Sequence, residues 1–168
     1  MAFTLYDASI PPFLRGFGQL SAILDKAVAH AEAKKIDPAV LINARLSPDM
    51  YPLARQVQTA SDAAKFAGAR LAGIEAPGFA DTETSFDELQ QRIAKTVTFL
   101  KDIDPAAIAG QEDREIVLKR ATGDIHLTGA RYLQGLALPN FYFHLVTAYD
   151  ILRHNGVELG KSDYLGKP

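Results

Sequence analysis

The chain has 168 residues, of which 48% are hydrophobic and 23% charged, and its formal net charge is −2. This length predicts one soluble domain over residues 1–168, with a core that buries roughly 68–70% of the unfolded surface. The sequence contains no cysteine, which excludes disulfides, thiolate metal sites and a catalytic thiol. Its basic and acidic residues are interspersed, and this disfavours a nucleic-acid partner because phosphate binding needs clustered Lys and Arg.

The amino-terminal stretch MAFTLYDASIPPF has neither the basic start nor the apolar run of a signal peptide. No later segment reaches the roughly 18 consecutive apolar residues that a membrane-spanning helix needs. We therefore expect a cytoplasmic protein that does not interact with a membrane.

Two amphipathic helices are predicted in the first 73 residues. The first begins at Ser9, a capping residue followed by prolines that a first turn tolerates, and ends near Lys34. The second begins near Ser47 and ends at Gly73, and its later half is rich in small residues that allow close helix packing. Apolar residues recur at helical spacing in the second helix: Met50, Leu53, Val57, Ala60, Ala64, Ala67 and Leu71.

A third helix and a short hairpin follow. Ser85 and Glu88 form a capping-box pattern at the start of the third helix, which ends at Asp104. Residues 115–120 and 125–128 alternate in the manner of two strands around a turn that contains Gly123. Because an isolated two-stranded hairpin is only marginally stable, we expect it to pack against the helices.

The fourth helix is predicted from Pro139 to Asn155, after a short helical turn over residues 129–137 and before an irregular tail over residues 157–168. Four long helices with a hairpin between the last two indicate an all-α four-helix bundle. The fourth helix is apolar on nearly every side, which is typical of a central core helix or of an interface. We therefore expect a homodimer that covers the surplus apolar surface.

His144 is the main candidate for chemistry, since it lies among apolar residues of the fourth helix. It is either a core histidine hydrogen-bonded to a neighbour, or a metal ligand or general base. His154 cannot share a metal ion with it, because ten helical residues separate the two side chains by about 15 Å.

Gln58 and Asp62 are candidate partners on the second helix, where their spacing of four places them on one face. If they point inward, they need hydrogen-bond partners, which His144 or Tyr149 can supply. If they point outward, they are ordinary surface residues.

The chain resembles an uncharacterised bacterial family of unknown function within the DinB/YfiT-like superfamily, a group classed as metalloenzymes. The resemblance is carried by LALPNFYFH (136–144), TAYDILRHNG (147–156) and LGK (159–161), and is strengthened by LSAILDK (20–26) and DMYPLARQVQ (49–58). It implies an up-down-down-up four-helix bundle that is often dimeric. It also implies a divalent metal held by one histidine of the second helix and an H-x-x-x-H pair of the fourth.

This sequence departs from that metal-binding pattern. His144 matches the first histidine of the pair, but Ala148 stands in place of the second, and the second helix contains no histidine. We therefore expect no tightly held metal and no cofactor, because one imidazole with weak oxygen donors binds such ions poorly.

Three functions remain open for this bundle. The first is a degenerate metal site that forms a small polar pocket of His144, Tyr149, Gln58 and Asp62, binding a small molecule or nothing. The second, implied by the resemblance, is a thiol-dependent transferase or hydrolase-like enzyme in which His144 and Tyr149 are the candidate catalytic residues. The third is a structural or regulatory homodimer.

Overall fold

Four long helices form the body of the protein in a computed structural model that describes residues 3–166. They are α1 (Leu5–Lys34), α3 (Leu53–Ala72), α4 (Phe86–Lys101) and α7 (Leu138–His154). Shorter helices lie between and after them: α2 (Pro38–Ile42), α5 (Pro105–Ile108), α6 (Gly129–Tyr132) and α8 (Lys161–Leu165). Within the described range, no helix combines the length and the apolar character needed to cross a membrane.

The long helices pack so that consecutive ones are not always neighbours. Helix α1 packs mainly against α4 and α7, and α3 packs mainly against the same two helices. The first two long helices therefore lie diagonally across the core, and the most extensive contact joins α3 to α7. This confirms the predicted all-α fold and makes the α3–α7 interface the setting for His144.

A two-stranded antiparallel hairpin joins the third and fourth long helices, as predicted. Strand β1 (Glu115–Leu118) pairs with β2 (Ile125–Thr128), with Glu115 opposite Thr128 and Leu118 opposite Ile125. Ile116 and Leu118 are buried against the helices, which supply the apolar surface that a hairpin alone lacks. The first strand is two residues shorter than predicted.

Helix α1 begins at Leu5, so the predicted start at Ser9 is wrong. Thr4 and Asp7 form a capping box, in which the Thr4 N–H donates to Asp7 at 2.9 Å and the Asp7 N–H donates to Thr4 at 3.2 Å. Ser9 is buried inside the helix, where its hydroxyl donates to the Leu5 carbonyl at 2.8 Å. The helix continues through Pro11 and Pro12, and it lacks two backbone hydrogen bonds there because proline has no N–H group. The capping box and the buried face stabilise the helix on this stretch.

Helix α3 begins at Leu53 and not near Ser47, because the residues ahead of it form the separate helix α2 and an irregular segment. Its predicted end is confirmed, since Gly73 adopts a left-handed conformation with φ of 70°.

Asp37 and Asp104 each cap an unpredicted short helix that opens on a proline. Helix α8 likewise occupies part of the tail that the sequence suggests is irregular.

The helix that carries His144 is continuous with α6. A π-helical stretch, Leu133–Ala137, joins α6 to α7 without a break in the hydrogen-bonded backbone. Such a stretch contains one extra residue per turn and so changes the rotation of everything that follows. It therefore helps to determine which residues of α7 face α3.

Most apolar residues of α7 are covered by the chain itself. The Phe141 ring packs edge-on against Phe13 and Phe17 of α1, with ring centres 5.0 and 5.2 Å apart. On the outer face of α7, Phe143 is 56% exposed and Val146 is also exposed. A core role thus accounts for most of the apolar character of this helix, and the homodimer stays a prediction.

Candidate functional site

His144 lies on the face of α7 that packs against α3 and is only 8% exposed. Its Nδ1 atom lies 2.7 Å from Oε1 of Gln56, a buried residue of α3. The histidine is therefore hydrogen-bonded across the most extensive helix interface of the protein, between the two helices on which the resemblance implies metal ligands.

A backbone carbonyl determines which nitrogen of His144 carries the proton. The Gln56 side-chain N–H donates to the carbonyl oxygen of Tyr51 at 3.0 Å, and a carbonyl can only accept. The amide oxygen of Gln56 must then face His144, so Nδ1 donates to it. In the neutral ring this leaves Nε2 as a bare acceptor, for which the structure gives no hydrogen-bond partner among the described residues.

The ring is held in its neutral form. Burial lowers the pKa of His144 below its ordinary value, and the positive charge of Arg55 lowers it further. At neutral pH the side chain is thus an uncharged imidazole with a free lone pair, which can accept a hydrogen bond or remove a proton.

The depressed pKa of His144 predicts a loss of stability in acid. Below about pH 6.5 the unfolded chain binds a proton at this histidine and the folded chain does not, so the free energy of unfolding falls. We expect His144→Gln to remove part of this loss, which amounts to at most about 1.4 kcal/mol per pH unit for one proton. Urea unfolding at several pH values between 7.5 and 5 measures this loss in the free energy of unfolding.

His154→Gln is the matched control for that experiment, since His154 is an exposed residue of the same helix. This variant should lose stability in acid as the unmodified protein does. If the His144→Gln variant loses as much stability in acid as the control, His144 does not contribute to the pH dependence of the free energy of unfolding.

The donors around His144 do not fit the divalent metal that the resemblance implies. Among residues 3–166, no three His, Asp or Glu side chains lie close enough to hold a metal ion. Gln56 already occupies Nδ1, and Ala148, one turn further along α7, offers no donor atom. A single imidazole nitrogen falls short of the three or four protein ligands typical of zinc sites.

Gln58 and Asp62 lie in a different environment from His144. Gln58 is buried, accepts a hydrogen bond from Arg55 at 3.2 Å and donates to Glu83 at 2.9 Å. Asp62 accepts from Arg92 of α4 at 2.9 Å. Gln58 therefore faces the loop between α3 and α4 and Asp62 faces α4, and their partners are not the His144 and Tyr149 that the sequence suggests.

We call the ionic group around these residues the Arg92 cluster: Arg92, Arg55, Lys65, Asp62, Asp81 and Glu83. Arg92 is buried and lies 2.9 Å from Asp62, 2.9 Å from Asp81 and 3.0 Å from Glu83. Lys65 is also buried and lies 2.9 Å from Asp62. Burial alone would raise the pKa of Asp81, but Arg55 and Arg92 hold it below its ordinary value.

Tyr149 lies away from His144. Five helical residues separate the two, which rotates their side-chain directions by about 140° around α7. Tyr149 is half-buried and packs against the hydrophobic core. Of the four residues predicted to line one pocket, the structure thus joins Gln58 to Asp62 through Glu83 and Arg92, and brings neither His144 nor Tyr149 to them.

Two central residues, Gln56 and Arg92, escape the sequence-based prediction. Gln56 lies three residues after Leu53 and four before Ala60, so it shares their buried stripe, and Arg92 follows Leu89 by three residues in α4. A polar residue at a stripe position is the signal that could have identified both, because buried polar groups need partners.

The fold, a bundle of four long helices with a hairpin before the last, is that of a DinB-like protein. It is similar to the crystal structure of a DinB family member protein from Shewanella denitrificans, with 48% sequence identity and a TM-score of 0.93. The similarity covers 98% of this chain and 93% of that one. The chain belongs to the family described as domain of unknown function DUF1993, which matches residues 5–165. No curated protein matches it.

Proposed function

We propose that this protein is a cytoplasmic, metal-independent helical bundle that binds a small organic molecule at the His144 end of the α3–α7 interface. The observation that carries the proposal is the hydrogen bond between His144 and Gln56, because it leaves Nε2 as a fixed acceptor on a neutral ring. A ligand with a hydroxyl or amide N–H group would satisfy that atom.

The surroundings of His144 favour an aromatic ligand. Phe143 packs edge-on against the His144 ring at 5.2 Å and is itself exposed. Tyr51 is exposed as well, and the Arg55 guanidinium lies over its ring at 5.7 Å. Aromatic side chains with a cation beside them offer stacking and edge contacts to a flat ligand.

Titration with 4-hydroxybenzamide tests this proposal, because the compound is aromatic, uncharged and rich in hydrogen-bond donors. About ten non-hydrogen atoms at roughly 0.3 kcal/mol each give about −3 kcal/mol, so binding near the millimolar range is expected. We expect the compound to shift the NMR signals of the His144 ring, and His144→Gln to abolish binding while His154→Gln does not.

Two results would contradict the proposal. One is equal binding of 4-hydroxybenzamide by the His144→Gln and His154→Gln variants, which would locate the compound elsewhere. The other is tight binding of one equivalent of Zn²⁺ through His144, since a metal ligand would not be free to accept a hydrogen bond from the compound.

General-base catalysis is a second candidate, corresponding to the thiol-dependent transferase or hydrolase-like enzyme implied by the resemblance. The same bare Nε2 atom favours it, since an uncharged imidazole can accept a proton from an attacking thiol or water. Such activity would rise with pH to a plateau, with a midpoint below about 6.5, because only the neutral ring acts as a base. Hydrolysis of p-nitrophenyl acetate that His144→Gln leaves unchanged would exclude this role for that substrate.

A structural or regulatory homodimer is the remaining proposal, and the exposure of Phe143 and Val146 on α7 favours it. We expect the protein to sediment as a dimer at micromolar concentration and Phe143→Asp to sediment as a monomer. Val117→Asp, which changes an exposed apolar residue of the hairpin, is the control and should remain dimeric. A monomeric unmodified protein would exclude the dimer at that concentration.

A further inference from the structure

The two helices α3 and α4 carry more positive than negative charge where the Arg92 cluster forms. Arg55, Lys65 and Arg92 meet there, and Asp62 is the helical carboxylate that contacts both buried cations. The three cations and this one carboxylate give the two helices an excess of two positive charges here. Because Lys65 and Arg92 are buried, this excess needs nearby anions, since a buried charge is stable only when it is paired.

The compensating anions come from the loop between α3 and α4, through a segment that we call the acidic segment (residues 81–83). Asp81 contacts Arg55 and Arg92, and Glu83 contacts Arg92 and Gln58. The Asp81 side chain is 35% exposed, so a carboxylate open to solvent pairs with the buried guanidinium of Arg92 as well as with the partly exposed one of Arg55. Two carboxylates one residue apart thus occupy a cationic site built by the helices.

The site has a wall and a cavity that would suit a separate molecule. The Phe79 ring lies 4.3 Å from the Lys65 ammonium and 5.7 Å from the Arg92 guanidinium, which places an aromatic face over both cations. A cavity of about 300 Å³ adjoins the acidic segment, and the charged residues that line it are Arg92, Lys95, Glu83 and Glu88. The buried Nε of Arg92 has no hydrogen-bond partner within the described part of the chain.

We propose that the Arg92 cluster is a binding site for a small dicarboxylate, and that the acidic segment is a built-in competitor that occupies it when no ligand is present. The carboxylates of Asp81 and Glu83 are the chemical equivalents of the two ends of such a ligand. Guanidinium groups suit this role because their planar N–H donors match carboxylate oxygens. The site shares Arg55 with the surroundings of His144 but does not depend on His144 itself, so it would remain if the proposed function failed.

Removing the competitor tests the proposal. Asp81→Asn/Glu83→Gln leaves the cations in place without their partners, so its thermal midpoint in chloride should fall below that of the unmodified protein. Millimolar succinate should raise the midpoint again at equal ionic strength. By calorimetry, succinate should bind the double variant on the order of tenfold more tightly than it binds the unmodified protein, because the competing state no longer reduces the apparent affinity.

Glu112→Gln/Asp113→Asn is the matched control, since it makes the same change in net charge at exposed residues ahead of the hairpin. Its response to succinate should equal that of the unmodified protein. Adding Arg55→Gln to the double variant should weaken succinate binding. If the double variant folds neither in chloride nor in succinate, the single variant Asp81→Asn is tested by the same measurements. In that variant Glu83 still pairs with Arg92.

Two outcomes overturn the proposal. If succinate affects the acidic-segment variants and the control equally, the acidic segment does not cover a dicarboxylate site. If inorganic phosphate restores the double variant but succinate does not, the cations bind an anion of another class.

Discussion

Replacing Arg92 by methionine should destabilise the protein by about 3–5 kcal/mol, which is the range for breaking a buried ion pair by removing one partner. Methionine matches the length of the arginine stem but brings no charge. Asp62, Asp81 and Glu83 would then face one another with Lys65 as the remaining buried cation among them. Urea unfolding followed by circular dichroism measures the loss.

Lys95→Met is the control for Arg92→Met, since Lys95 is an exposed residue of the same helix, three positions further on. Its effect should stay within about 0.5 kcal/mol, as is usual for surface substitutions. A loss below about 1 kcal/mol for Arg92→Met would show that the three carboxylates find other partners or take up protons.

Replacing Gly16 by valine should destabilise the protein by about 3 kcal/mol, the upper end of the usual range for overpacking a core. A Cβ atom at Gly16 would lie 2.6 Å from Cε1 and 2.7 Å from Cζ of Phe141. That ring is wedged between Phe13 and Phe17 and has little room to move away. Helices α1 and α7 would have to separate, and thermal or urea unfolding would detect this.

Gly18→Val is the matched control, because a Cβ atom at Gly18 meets nothing within 4 Å. The two glycines lie two residues apart in the same helix, so the gain in helix propensity on leaving glycine is the same for both. We expect the Gly18 variant to be as stable as the unmodified protein or slightly more so. If both variants lose similar stability, the loss comes from the helix itself and the α1–α7 contact tolerates a side chain.

The fold was largely predictable because long amphipathic stripes indicate helices strongly. The stripe of α3 and the glycine that ends it identify the helix and its end, and the alternating residues of the hairpin identify β1 and β2. The start of α1 was missed because Ser9 is also a capping residue, and local sequence alone does not show that Thr4 caps instead. The short helices α2, α5 and α8 were missed because four or five residues are too few to show a period, whereas the helical turn predicted over residues 129–137 is present as α6 and the π-helical stretch.

The candidate site was predictable in part. The apolar surroundings of His144 in the sequence already suggested a buried histidine with a partner, and the structure provides one. The identity of that partner depends on how α3 is rotated against α7, which spacing within a single helix does not specify. The separation of Gln58 and Asp62 from His144 has the same origin, since Gln58 bonds to Glu83 of the loop before α4 and Asp62 bonds to Arg92 of α4 itself.

The π-helical stretch Leu133–Ala137 has a consequence for comparing this protein with its relatives. A turn of this kind arises when one residue is inserted into an ordinary helix, and removing one residue would restore regular winding. A relative that is one residue shorter at this point and regularly wound would keep the residues of its last long helix on the same faces, because the wide turn accommodates the extra residue. A relative of equal length without the wide turn would have that helix turned by about 100°. The length of the segment between the hairpin and Pro139 is therefore a simple marker for sorting homologous sequences into those that contain the wide turn and those that reach the same orientation of His144 by regular winding.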